Sequence, residues 1–255
     1  MEEMSPRERH MRKWMERAVV DFRMIEPGDR VLAAVSGGRD SLALVHLLTG
    51  PMVHVTKDFG LEFAHVDGGF PGSDPARIVR WMESRGLELR VLETSFHEEF
   101  KDAGKRMCFF CARRRRKALL ETARDLGCNK IAFGHHRDDA VEALLMNMIY
   151  YHEISTSVPV QPLFGGSFHI IRPLYYVSDV LVKRFAAERG IASLEAACPM
   201  ADRTKRDTIR RLLAGFREEV PNIDKKLFRA MFRVLNDYLP APPDGKNPPD
   251  LPDDV

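Results

Sequence analysis

The sequence predicts an α/β protein built on a parallel sheet, and three observations carry that expectation. Short, continuously apolar runs alternate with segments of helical periodicity along the first two thirds of the chain. Such runs suit strands buried on both faces. Turn residues, such as Pro27-Gly28-Asp29 and Gly127, punctuate the alternation. Strand and helix in strict alternation imply parallel strands with helices on both faces of the sheet.

Taken in order, residues 7–25 place Met15, Val19, Phe22 and Ile25 on one stripe and predict an N-terminal helix. Arg30 to Val35 reads as the first strand, Ser36 to Ser41 as a tight polar loop and Leu42 to Leu48 as a helix. Leu61 to Val66 is a second strand, closed by Asp67-Gly68-Gly69; a helix at Ile78 to Ser84 and a strand at Leu87 to Leu92 follow. Leu119, Leu120, Ala123 and Leu126 set a helix over Arg113 to Leu126, which Gly127 stops before a fourth strand at Lys130 to Phe133. Asp138 to Tyr150 continues as a helix with Val141, Leu144, Leu145 and Met148 facing inward. Beyond about residue 155 the pattern changes: Ile170-Ile171 suggests one more strand, and Ser178 to Arg189, Arg203 to Glu219 and Asn222 to Tyr238 read as helices. The expected organisation is an N-terminal helix (1–28), an α/β domain (29–177), a helical C-terminal region (178–239) and a disordered Pro/Asp-rich tail (240–255).

With 255 residues, 44% of them hydrophobic, the chain can bury one sizeable core. No apolar run reaches the roughly 18 residues of a membrane span, and the N-terminus lacks the apolar core of a secretory signal. A cytoplasmic address without membrane contact is expected. Net charge is only +2, but it is unevenly spread. Arg113 to Lys117 form one basic block, and Lys205, Arg206, Arg210 and Arg211 form another, while the tail is acidic. Four cysteines in a reducing compartment point to metal or redox chemistry rather than to disulfides.

Ser36-Gly37-Gly38-Arg39-Asp40-Ser41 lies between a strand and a helix, where open α/β sheets bind ligands. Two glycines let backbone N–H groups approach an anion, the serine hydroxyls add donors and the helix N-terminus adds positive potential. A plain connecting turn is the alternative. Cys108-Phe109-Phe110-Cys111 opens a helix and Cys198 lies far along the chain. Three thiolates suit zinc with a fourth ligand or a [4Fe–4S] cluster with one open iron; packed cysteines or a redox dithiol remain open readings of the C-x-x-C. Cys128, before a strand, reads as packing. Gly134-His135-His136-Arg137-Asp138-Asp139 starts a helix, and its carboxylates either cap that helix or hold Mg²⁺ near phosphate.

Residues 36–41 resemble the S-G-G-x-D-S signature of PP-loop ATP-pyrophosphatases. From about residue 30 to 238 the ordered series resembles one branch, the tRNA 2-thiocytidine synthetases. That series is the glycine loop, the C-x-x-C with its basic helix, G-H-H-R-D-D with Asn147-Met148, Ile171-Arg172-Pro173-Leu174 and the late cysteine with basic residues. The resemblance implies an adenine nucleotide alpha hydrolase-like fold and ATP-dependent activation of a base carbonyl, followed by sulfur transfer. It implies ATP contacts at Ser36, Gly37, Gly38, Arg39, Asp40, Ser41, Val66, Gly134, His135 and Asp138, with Asp40 and Asp139 as the catalytic positions for Mg²⁺ or ATP. It also implies a [4Fe–4S] cluster on Cys108, Cys111 and Cys198, and tRNA contacts at Arg113, Arg114, Lys205, Arg206, Arg210 and Arg211. The sulfur donor would be sulfide or a cysteine-desulfurase persulfide, and a homodimer is left open. Three departures stand out: Arg39 where many relatives have Lys, Leu194 where relatives often have Cys, and a short glycine-rich loop after Asp67. Rival readings are an amidating or lysidine-type PP-loop ligase, a zinc-containing thiolase and a non-enzymatic ATP sensor.

Overall fold

Strand β1 (Asp29–Ala34) buries Val31 and Ala33 in one apolar cluster and Leu32 in another, so it needs cover on both sides. In the computed structural model, which describes residues 4–70, 72–100, 107–194 and 204–240, it pairs within a six-stranded sheet. The other strands are β2 (Phe59–Asp67), β3 (Arg90–Glu93), β4 (Lys130–Ala132), β5 (Val160–Leu163) and β6 (Phe168–Ile171), in the order β3-β2-β1-β4-β6-β5. Neighbours from β3 through β6 run parallel, with Ala33 opposite Phe63 and Ala132. Only β5 is antiparallel, pairing with β6 at the edge.

Among the described residues, seven helices cover one face: α1 (Pro6–Asp21), α2 (Arg39–Thr49), α3 (Pro75–Glu83), α6 (Arg137–Tyr150), α7 (Asp179–Glu188), α8 (Lys205–Glu219) and α9 (Ile223–Ala230). Met15, Leu44, Met82, Val141, Phe185, Ile209 and Phe228 from these helices share one cluster with Val31, Ala33 and Ile171. On the other face, α4 (Phe96–Phe100) and α5 (Met107–Asp125) bring Phe96, Leu119 and Ala123 against Leu32, Ala64 and Ile131. Helices on both faces are as the sequence predicts, with the cover divided unequally. Gly127 ends α5 in the left-handed region, φ +67°, as its position implies. No helix among the described residues is long and apolar enough to cross a membrane.

Four expectations need correction. Helix α1 stops at Asp21 because Arg23 turns left-handed, yet Met24 and Ile25 still enter the core. Strand β5 is unanticipated because it contains Pro162, which only an edge strand tolerates. Met148 is 45% exposed instead of facing inward. The last helix ends at Ala230, with only a short 3₁₀ turn at Asn236–Tyr238. Phe232, Val234, Leu235 and Tyr238 find no buried seat that would sustain more helix. The tail at 241–255 lies outside the described residues.

Candidate active site

The strand order reverses between β1 and β4, since the chain steps outward from β1 to β3 and then returns to the other side. Loops leaving the carboxyl ends of these two neighbours flank a crevice, the usual ligand position of open α/β sheets. The loop after β1 holds residues 36–38. Gly37 has φ +88°, a conformation that favours glycine. Gly38 is the N-cap of α2 and offers no side-chain cap, so the first-turn N–H groups stay available to an anion. The serine hydroxyls bond within the loop. Ser36 Oγ accepts from Gly38 N at 3.1 Å and lies 3.1 Å from Ser41 Oγ, which donates to the Gly38 carbonyl at 2.8 Å. These bonds shape the loop from within. Ser36, Gly38, Arg39, Asp40, Ser41 and Ser193 line a pocket of about 150 Å³.

The loop after β4 meets the first one at Gly134. A Cβ there would stand 2.9 Å from the backbone of Asp40 and Ser41, so only glycine permits this approach. Next to it, His136 caps α6. Its Nδ1 accepts from Asp139 N at 3.4 Å, and Asp139 Oδ2 accepts from His136 N at 2.9 Å. The other ring nitrogen faces Asp40 at 3.9 Å and Asp179 at 3.8 Å. One ligand atom from each of Asp40, His136 and Asp179 falls within 4.8 Å of the others.

Asp179 completes this group, and no local sequence signal announces it. Its side chain accepts from Arg39 at 3.2 Å and pairs with Lys183 at 2.6 Å. Arg39 also reaches Asp40 at 3.3 Å. Two carboxylates held by two cations make a site where a metal-bound polyphosphate could exchange for Arg39, and hard oxygen donors suit Mg²⁺. Asp139 is placed differently from the expected pairing with Asp40: its second oxygen accepts from Arg206 at 3.3 Å, so cap and ion pair occupy both oxygens. Asp138 likewise holds the start of α7 by accepting from Asp179 N at 2.8 Å.

His135 stacks against Phe133 with ring centroids 5.5 Å apart, and its Nδ1 is buried without a hydrogen-bond partner among the described residues. Burial pushes its pKa down to about 4; Asp139 opposes the shift, and Arg172 and Arg206 reinforce it. At neutral pH the ring is an uncharged hydrogen-bonding group beside the crevice. Val66 packs its side chain into the cluster under α5, leaving its main chain as the part able to face a nucleotide.

In a parallel sheet with crossover helices, helix N-termini gather at the carboxyl ends of the strands. This puts the start of α5, with exposed Cys108 and half-buried Cys111, on the same edge as both loops. Spaced three apart, the two thiols share a side of the helix. As soft donors near a helix N-terminus they fit two corners of an iron–sulfur cluster. Cys198 lies outside the described residues. Cys128 is buried, and burial raises its thiol pKa, which suits a packing role.

The expected RNA contacts divide sharply. Arg113 and Arg211 are exposed, and Arg211 bonds only Thr208 among the described residues. Arg114 pairs with Glu99. Arg206 and Arg210 instead anchor α8 to α6: Arg206 reaches Asp139 and Glu142, and Arg210 donates to Glu142 at 2.8 Å. A wider hollow of about 870 Å³ runs along α1 past Trp14, Arg17 and Tyr176. Its described lining includes neither an uncapped helix start nor a glycine loop, the two features that the smaller pocket offers an anion.

The PP-loop domain family matches residues 7–216. A tRNA-cytidine(32) 2-sulfurtransferase of Syntrophotalea carbinolica is 35% identical over 236 residues, covering 91% of each chain. The protein of the same name from Geobacter sulfurreducens is 35% identical over 229 residues, 88% of this chain and 89% of its own. Among solved structures, the U34-tRNA thiolase NcsA from Methanococcus maripaludis, with its [4Fe-4S] cluster, superposes with a TM-score of 0.66 at 21% identity. That likeness covers 92% of this chain and 81% of the other, and it concerns the fold.

Proposed function

Because the chain belongs to the PP-loop family, and within it to the family of the tRNA-cytidine 2-sulfurtransferases, we propose that it uses ATP to replace the C2 oxygen of a tRNA cytidine with sulfur. The observation that carries this reading is the contact of Gly134 with Asp40 and Ser41, which joins the glycine loop and the His136 loop into one pocket. The uncapped start of α2 would bind the phosphates. The base O2 attacks the α-phosphorus and pyrophosphate leaves. A sulfide sulfur then attacks C2, and AMP departs with the former carbonyl oxygen.

Asp40 and Asp179, with His136 beside them, would hold Mg²⁺ against the phosphates and neutralise charge as pyrophosphate leaves. With the two carboxylates turned to such an ion, Arg39 would be free to offer its guanidinium to the polyphosphate. A [4Fe–4S] cluster on Cys108, Cys111 and Cys198 would supply an open iron that presents sulfur as an oriented nucleophile. The sulfur would come from sulfide or from a cysteine-desulfurase persulfide.

The test is anaerobic turnover of an unmodified tRNA transcript with ATP, Mg²⁺ and sulfide, read by nucleoside mass analysis and pyrophosphate release. The expected result is 2-thiocytidine, one AMP and one pyrophosphate per sulfur, from brown protein holding about four irons per chain. Asp179→Asn should slow pyrophosphate release while keeping the iron. Stoichiometric zinc without iron would favour the zinc-containing thiolase, and pyrophosphate release coupled to an amine instead of sulfide would favour the ligase.

A further inference from the structure

Helix α6 ends at Tyr150, which packs half-buried against the core, and its C-cap Tyr151 is 52% exposed. The Nζ of Lys205, at the start of α8, lies 4.8 Å from the Tyr150 ring centroid and 4.6 Å from that of Tyr151. Both distances fall within cation–π range. Lys205 has no carboxylate partner among the described residues. The chain turns left-handed at His152, φ +57°, and Ile149 and Ile154, close to the tyrosines in sequence, are 49% and 63% exposed. Asn147 fixes the loop that follows, donating to the Ser155 carbonyl at 3.0 Å and contacting its hydroxyl at 2.9 Å.

The neighbourhood gives this surface a position. Lys205 is followed by Arg206, which reaches Asp139 on the first turn of α6 beside the crevice. Tyr150 is eleven residues further along the same helix, about 16 Å from that turn. Cytidine drawn into the phosphate pocket must leave its stack, and loop nucleotides a short distance away lose a stacking partner with it.

We propose that Tyr150, Tyr151 and Lys205 form a stacking platform for unpaired nucleotides of the RNA substrate, an inference that rests on the tRNA reading above. The cation decides against a protein partner. Protein interfaces favour tyrosine but exclude lysine from their cores. Aromatic faces combined with a cation are the pattern of single-stranded nucleic-acid sites.

The probe is an anticodon stem-loop RNA with 2-aminopurine at loop positions flanking the cytidine, titrated against the full-length protein. Wild type should bind and quench the fluorescence. The Tyr150→Ala/Tyr151→Ala variant should bind about 5- to 100-fold more weakly and lose the quenching, with an unchanged salt slope. Tyr150→Phe/Tyr151→Phe should behave as wild type, and Lys205→Gln should flatten the slope by about 0.7 while keeping the quenching. Unchanged ATP binding and melting temperature check the fold, and Tyr151→Ala alone serves if the double variant does not fold. Equal affinity and equal quenching in the alanine variant would overturn the platform alone. Wild type that binds no tRNA or stem-loop would overturn the tRNA reading and the platform with it. A dimer that the alanine variant dissociates, with RNA affinity unchanged, would assign the surface to a second copy and overturn the proposal.

Discussion

Replacing Gly134 with alanine tests the junction on which the pocket depends. The new Cβ would meet Asp40 C, Asp40 O and Ser41 N at 2.9 Å, where ordinary contacts begin at 3.4 Å. Every one of these atoms is main chain, so no side chain can swing aside. The start of α2 would have to retreat by about 0.5–1 Å, at an overpacking cost of about 1–3 kcal/mol. For a chain of this length that is roughly 2–4 °C of melting temperature per kcal/mol. The same retreat lengthens the N–H contacts to phosphate, and charge-assisted bonds of about 1.5–3 kcal/mol each are at stake. ATP affinity should therefore fall about 10- to 100-fold, measured by calorimetry alongside thermal melting. Gly215→Ala is the control: a Cβ there meets nothing within 4 Å in the middle of α8, so stability should hold or rise by about 0.5–1 kcal/mol. If Gly134→Ala binds ATP and melts like wild type, the two loops do not touch as described and the joint pocket is wrong.

Two further perturbations separate charge from packing. Asp29 accepts from Lys130 at 2.6 Å and both are buried, so Asp29→Asn strands an ammonium and should cost about 3–5 kcal/mol in urea unfolding at pH 7. Burial alone would raise the Asp29 carboxyl, but hydrogen bonds from Lys130, Glu26 N and Asn129 hold it below its usual value. Its contribution is therefore present above about pH 4 and fades as the pH falls through the lowered pKa, so the gap between variant and wild type should narrow in acid and not in base. Arg210→Gln should destabilise by about 1 kcal/mol with coupling to Glu142→Gln in a double-mutant cycle, whereas Arg211→Gln should leave unfolding unchanged and alter only the salt dependence of tRNA binding. Equal stability loss from both arginine changes would refute the division of α8 into an anchoring and an exposed side.

What was legible in the sequence follows from how local each feature is. The strand–loop–helix at 29–49 is written in a continuous apolar run, two glycines and a helical stripe, and the structure reproduces it within a few residues. Gly127 and the start of α6 are equally local. Asp179 was not legible, because Ser178-Asp179 reads simply as a helix start. It joins Asp40 only because β6 lies beside β4 and returns α7 against α2, an arrangement that no spacing rule contains. The partners of Arg206 and Arg210 were not legible for the same reason. On a sequence they are basic residues on an amphipathic helix, and only the packing of α8 on α6 shows that Asp139 and Glu142 claim them. Strand β5 was hidden by Pro162, and the C-terminal helix was overextended because periodicity cannot show that Phe232, beside Phe22 and Phe228, stays half exposed.

Helix α6 is the element on which the separate pieces of chemistry converge. Its cap residue His136 faces the phosphate pocket, Glu142 in its second turn docks α8, and its last residue Tyr150 meets Lys205. Its first half is buried, and Asp139 and Glu142 fix the neighbouring helix through two arginines. A helix packed in this way cannot slide in small increments, because buried carboxylates would lose their partners before new ones formed. The spacing between phosphate pocket and tyrosine platform is therefore fixed by helix length. Inserting one residue after Ala143 would rotate the platform by about 100° relative to the pocket. Such an insertion should uncouple RNA affinity from turnover: ATP binding at the start of α2 would persist, while the loop nucleotides would no longer reach stacking partners when the cytidine is in place. Should the insertion variant retain both wild-type RNA affinity and wild-type thiolation, the fixed spacing along α6 would not be a determinant of substrate position.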